Sequence, residues 1–87
     1  MTVQPVPYPK VVKKDIPGPK SYQSPIEVVI DELHVVDLAV VYAQGYVPDV
    51  RTEGRKILIR LYTAPGQEVS AGTDLSSITI HIEAIGR

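Results

Sequence analysis

Asp31, Glu32, His34 and Asp37 form the densest group of ionisable side chains in this 87-residue chain. Carboxylates and an imidazole in close succession are the donor types of a divalent-cation site. Backbone geometry decides whether they can converge. On a helix, Glu27, Asp31 and His34 share a face. On a strand, Asp31 and Asp37 point away from Glu32 and His34, and the group disperses. The expectation is a solvated face with acids near a helix start, with no metal and no cofactor assigned.

The other chemical signals are weaker. His34 and His81 are the only histidines and do not form a His-x-x-x-His pair, so a zinc site is not indicated. His81 falls on the mixed face of a β-patterned run and reads as a cross-strand partner rather than a catalytic base. Ser70, Asp74 and His81 are triad residue types, but nothing places Ser70 on a nucleophile elbow. The glycines fit neither GxGxxG nor GxxxxGK[ST]. There is no cysteine, which removes disulfides and thiolate ligands. No catalytic residue is assigned, and the chain reads as a non-enzyme.

The elements that position these residues are clearest in two runs, Lys56 to Thr63 and Ser77 to Ile85. Both alternate with a period of two and are rich in β-branched residues. Ile57, Ile59 and Leu61 share one face, as do Ile78, Ile80, Ile82 and Ala84. Thr79, His81, Glu83 and Ile85 lie opposite the second set. These runs read as core strands, expected to be neighbours. Val and Ile supply 22 residues, against five Leu and five Ala, a balance that favours strands over helices.

Residues 26–46 admit two readings. As strands, Ile26, Val28 and Ile30 form one apolar face, and Val36, Leu38, Val40 and Tyr42 form another. As a helix, Ser24-Pro25-Ile26-Glu27 is a capping box with proline at the first helical position, and Gly45 is the stop. Val47 to Arg55 reads as a connection, with turn signals at Pro48-Asp49 and Glu53-Gly54. Ala64-Pro65-Gly66 suits a type II turn. Residues 66–76 read as a polar loop long enough to bind something, broken by a short strand near Val69.

Residues 1–25 hold six of the eight prolines. Proline locks φ and lacks an N–H, so no helix or central strand is expected there. A polyproline II arm of that length would reach roughly 75 Å. Val3, Val6, Tyr8, Val11, Val12, Ile16 and Tyr22 make it more apolar than a solvating linker, and Val11-Val12 could add an edge strand to a sheet. Four lysines against one aspartate give this part a balance of +3, while residues 26–87 carry −4. A basic arm on an acidic body suits contact with an acidic protein surface. The acidic body disfavours nucleic acid. No two arm prolines are three apart, so a PxxP ligand is not indicated. No apolar run is long enough to span a bilayer as a helix, and Pro5, Pro7 and Pro9 interrupt any signal-peptide core. The expectation is a soluble chain without a signal peptide.

The fold expected is mostly β: a small antiparallel, sandwich-like module over residues 26–87, carrying an extended proline-rich arm over residues 1–25. The alternative is α+β with one helix within residues 25–44. The function expected is structural: a protein that docks on identical or coat-like subunits of a larger assembly. The contacts would be made by Val6, Tyr8, Lys10, Val11, Val12, Lys13, Lys14, Ile16 and Tyr22. Virion components such as capsid cement, decoration or tail accessory proteins share that architecture, by analogy alone. The alternative function is an accessory or regulatory subunit of an enzyme complex, using the loop around residues 64–76.

Overall fold

The structure, a computed structural model, describes residues 10–87. They form seven strands: β1 Lys10–Pro17, β2 Ile26–Val29, β3 Val36–Ala43, β4 Val47–Glu53, β5 Lys56–Ala64, β6 Gln67–Glu68 and β7 Thr79–Gly86. No helix occurs among the described residues, and so none long and apolar enough to cross a membrane. Two antiparallel sheets result. One runs β1-β7-β3; the other runs β2-β5-β4, with β6 paired to β5. This is the mostly-β, sandwich-like module that the period-two patterning implies.

β5 and β7 are the central strands, but of different sheets. They are not neighbours in one sheet, as expected; each has its own partners on both sides. Ile57, Ile59 and Leu61 of β5 and Ile80, Ile82 and Ala84 of β7 are all buried in one apolar cluster. Two strands with clean apolar faces bury them by stacking sheets, which side-by-side pairing alone cannot do.

Turn chemistry separates the sheets. β3 and β4 are joined by Gln44-Gly45, bridged at Ala43 and Tyr46. Gly45 has φ 84, and no residue other than glycine has positive φ among those described. That is the type II arrangement, which does not match the strand twist and splays the strands that follow. β3 therefore pairs with β7 and β4 with β5. The β4–β5 hairpin is instead tight: Glu53 faces Lys56 across Gly54-Arg55, and Gly54 has φ 61. Glycine at the first central position, with Arg55 outside positive φ, is the type II′ form that keeps strands paired. Ala64-Pro65-Gly66-Gln67 makes the expected type II turn, with Gly66 at φ 75.

Several expectations change. Val47 to Glu53 is a strand and not a connection. Pro48 is tolerated because it faces Leu61, whose N–H and C=O both point to the other side of β5; no ladder bond calls on the missing Pro48 N–H. The capping-box reading of Ser24-Pro25 fails: that peptide is cis and leads into β2. The boundary expected at residue 25 also moves. Lys10 to Pro17 pairs with β7 along its whole length, from Lys10 opposite Gly86 to Pro17 opposite Thr79. Residues 18–22 then pair with the loop before β7 through Gly18 to Ile78, Leu75 to Pro19, Tyr22 to Thr73 and Gly72 to Tyr22 main-chain hydrogen bonds. Residues 10–25 thus belong to the module.

Proline does not prevent β1 because of register. The Gly18 N–H donates to the Ile78 carbonyl at 2.9 Å. Stepping back by two, the amides of Ile16, Lys14, Val12 and Lys10 point at β7, and those of odd-numbered residues point to the open edge. Pro17 is odd. Its missing N–H lies on the side that no strand occupies among the described residues, which is where edge strands accept proline.

Candidate docking face

The residues expected to carry partner contacts divide sharply. Val6 and Tyr8 lie outside the described residues. Val12 and Tyr22 are buried in the core, and Ile16 is half-buried against it. These three are structural: even-numbered β1 side chains face the opposite sheet, and Tyr22 closes it. Lys10 donates from Nζ to the Glu32 carbonyl at 3.1 Å, and Lys14 pairs with the Glu32 carboxylate at 3.3 Å. The attraction of a basic segment for an acidic body is thus met within the chain at these two positions. Val11 and Lys13 remain exposed.

The acidic cluster does not converge. Asp31, Glu32 and His34 occupy the β2–β3 connection, and Asp37 is exposed on β3. Glu32 is held below the usual carboxylate range by its own backbone N–H and by Lys14. Asp37 lies 3.8 Å from the Arg87 guanidinium. No grouping of three or more ligating side chains able to hold a metal occurs among the described residues. The triad types are also apart in function. Asp74 accepts from the Ser76 N–H and hydroxyl, which hold its carboxyl low, while His81 Nδ1 meets Asp15 Oδ1 at 2.7 Å.

What the fold does assemble is the outer face of the β1-β7-β3 sheet. Register sets its residues in three rows. Val11, Ile85 and Leu38 form the first; Lys13, Glu83 and Val40 the second; Asp15, His81 and Tyr42 the third. In the third row His81 sits between its Asp15 partner and the Tyr42 ring, stacked at 6.0 Å between centroids and 28° between planes. In the second, Lys13 and Glu83 are opposite charges in facing positions, a stabilising cross-strand arrangement. Side chains of rows two and three line a shallow open groove. Leu38 and Val40 are 55% exposed, Tyr42 60% and Val11 48%.

Leu38, Val40 and Tyr42 were the set expected inside, together with Val36. Only Val36 is buried. The register slips by one between Val36 and Leu38 against β7. Asp37 is the extra residue of this β-bulge, and such an insertion changes which parity points inward. Val41 and Ala43 are buried instead, and the apolar set is turned to solvent. β3 is apolar on both faces, so alternation alone could not tell which would be covered.

The outer face of the second sheet is different in kind. Asp49 faces Arg60 and Glu53 faces Lys56, and the charged residues among these are exposed. Val29 and Val47 are exposed on the same side, so charge pairs and single apolar residues are interspersed there. The loop after β6 is likewise occupied: Val69 and Leu75 are buried, and its main chain is bonded to residues 18–22. No protein-family model matches the chain, and no curated protein or solved structure matches it either.

Proposed function

We propose that this chain is a non-enzymatic assembly protein that docks on protein subunits, identical copies first, through the outer face of the β1-β7-β3 sheet. The observation that carries the reading is the row-wise exposure of Val11, Leu38, Val40 and Tyr42 on one face of three paired strands. An exposed apolar patch with a charged and polar border is the usual form of a protein-interaction surface. Lys13 and Asp15 lie along the β1 edge and Glu83 at the centre of the face, where they fix orientation more than affinity. Virion coats and tails are the setting favoured by analogy of architecture. The alternative, an accessory subunit that contacts its enzyme through the 64–76 loop, has less support, because that loop's apolar residues and main chain are used within the module.

The test is light scattering over a concentration series on the wild-type chain and on the Leu38→Glu/Val40→Glu double variant. Both positions are exposed, so the fold should survive, and circular dichroism checks this. The expected result is a mass that rises with concentration for the wild type and much less for the variant. Equal masses at every concentration overturn the reading.

A further inference from the structure

The docking face alone is small. Three strands about 4.8 Å apart and a run of five residues at about 3.4 Å each give roughly 250 Å², against about 800 Å² per partner in a stable interface. The edge of β1 borders that face and offers a further contact. Among the described strands, β1 packs against β7 alone. Its even-numbered residues bond to β7. The N–H and C=O groups of Val11, Lys13 and Asp15, and the Pro17 carbonyl, therefore point the other way. Such a row is a template for one more strand. No bulge bends it away: β1 holds an unbroken register with β7 from Lys10 to Pro17.

Side chains along the edge select the partner. Only odd-numbered residues bond across it, so a second β1 running antiparallel has few registers available. Lys13 opposite Lys13, or Asp15 opposite Asp15, sets like charges together on the outer face. Val11 opposite Lys13 sets an apolar side chain against a charge. One register matches. With Lys13 opposite Asp15, symmetry repeats the pair as Asp15 opposite Lys13. Val11 then meets Pro17, and on the inner side Val12 meets Ile16. Val11 is 48% exposed and Ile16 only half-buried in the single chain, so both gain cover. Lys14 falls opposite Lys14 at the axis, where each is already paired with Glu32 of its own chain at 3.3 Å. We propose that β1 pairs with β1 of a second copy in this register. About six main-chain hydrogen bonds form, two for each Lys13-Asp15 pair and one from each Val11 N–H to a Pro17 carbonyl. Each chain has one such edge, so the contact closes as a two-fold dimer. The two three-stranded sheets become one, and their outer faces merge into a surface of roughly 500 Å². The contact goes beyond the docking face and does not depend on it.

The test uses the full-length chain in sedimentation equilibrium from low micromolar to millimolar concentration, with circular dichroism to check that each variant is folded. Lys13→Asp sets carboxylate against carboxylate across the axis, and Asp15→Lys sets ammonium against ammonium, each at two symmetric places. The double variant Lys13→Asp/Asp15→Lys restores opposite charges between chains, while the facing Glu83 and His81 positions within each chain stay mismatched. The expected result is dimerisation by the wild type, association at least tenfold weaker for each single variant, and recovery in the double one. Amide hydrogen exchange on the wild type reads the same contact without substitution. Val11, Lys13 and Asp15 should gain protection as concentration rises, while Val12, Lys14 and Ile16 are protected throughout. A wild type that stays monomeric overturns the proposal. So does a folded double variant no better than the single ones, or protection of the odd amides that does not change with concentration, since the edge is then covered within one chain. The face variant Leu38→Glu/Val40→Glu in the same series separates the two ideas. If it weakens association and the single charge variants do not, the docking face stands and the edge contact is wrong. If the charge variants alone weaken it and the double one recovers, the edge contact stands and docking of copies by the face is wrong.

Discussion

The Tyr22 hydroxyl is the acceptor for an amide that no strand reaches. β2 covers β5 only as far as Ile59, and β6 begins opposite Tyr62. The Leu61 N–H falls in the gap, buried, and donates to Tyr22 Oη at 3.1 Å. The same hydroxyl donates to Glu68 Oε2 at 2.7 Å. A buried amide without an acceptor costs about 1–3 kcal/mol, so Tyr22→Phe should lower stability by about that amount, read as a denaturant midpoint. The carboxylate end sets the pH dependence. Glu68 is held below its ordinary value by the Ser24 hydroxyl first and the Tyr22 hydroxyl second. A depressed folded-state pKa contributes stability above the unfolded value near 4.5 and loses it as pH falls through the folded value. The gap between wild type and Tyr22→Phe should thus narrow on acidification below about pH 4.5, and a series of midpoints from pH 7 to pH 3 reads this. Tyr22 itself is raised, by burial first and then by Glu68, so at the alkaline end its contribution declines above pH 10. None of this is visible in the sequence. Tyr22 stands among prolines and lysines with no periodic neighbours, and its partner lies 46 residues away.

At the scale of elements, glycine placement decides the arrangement. Gly45 sits in the left-handed region with nothing within 4 Å of where a Cβ would be. Gly45→Ala therefore isolates the backbone cost of that conformation, about 1–2 kcal/mol. Gly18 has ordinary φ, yet a Cβ there would meet the Leu75 carbonyl, whose own N–H is bonded to Pro19. Gly18→Ala should cost more than Gly45→Ala in chemical denaturation, because main chain on both sides must move. Equal costs would mean that the 18–22 and 72–78 segments are loosely packed. The faces of β5 and β7 and the turn at Pro65-Gly66 were legible, because strict alternation and a Pro-Gly pair each have one local solution. β4 was hidden by Pro48, which reads as a breaker unless the register is known. The covered face of β3 was hidden by its bulge at Asp37, a non-local event that depends on where Gly86 allows the Val35 main chain to approach. An edge strand at Val11-Val12 was legible, but the full length of β1 was hidden by Pro17, whose position has meaning only once an edge partner exists.

For the whole molecule, the question is where the fold begins. Proline content alone sets the boundary near residue 25; the hydrogen-bond register places it no later than Lys10. The two boundaries predict opposite outcomes for truncation. A chain starting at Ser24 lacks β1 and Tyr22, and so loses Val12 and Tyr22 from the core and the whole β1 ladder along β7. Burial of each large apolar side chain is worth about 1.5–3 kcal/mol, and Leu61 loses its acceptor as well. A domain of this size has a total stability of only about 4–12 kcal/mol. The chain from Ser24 should therefore be unfolded by circular dichroism at 25 °C, under conditions where the full-length chain unfolds cooperatively. If the Ser24 form instead folds, β1 is an appended strand and not part of the core, and its pairing with β7 could be exchanged for a strand from another copy.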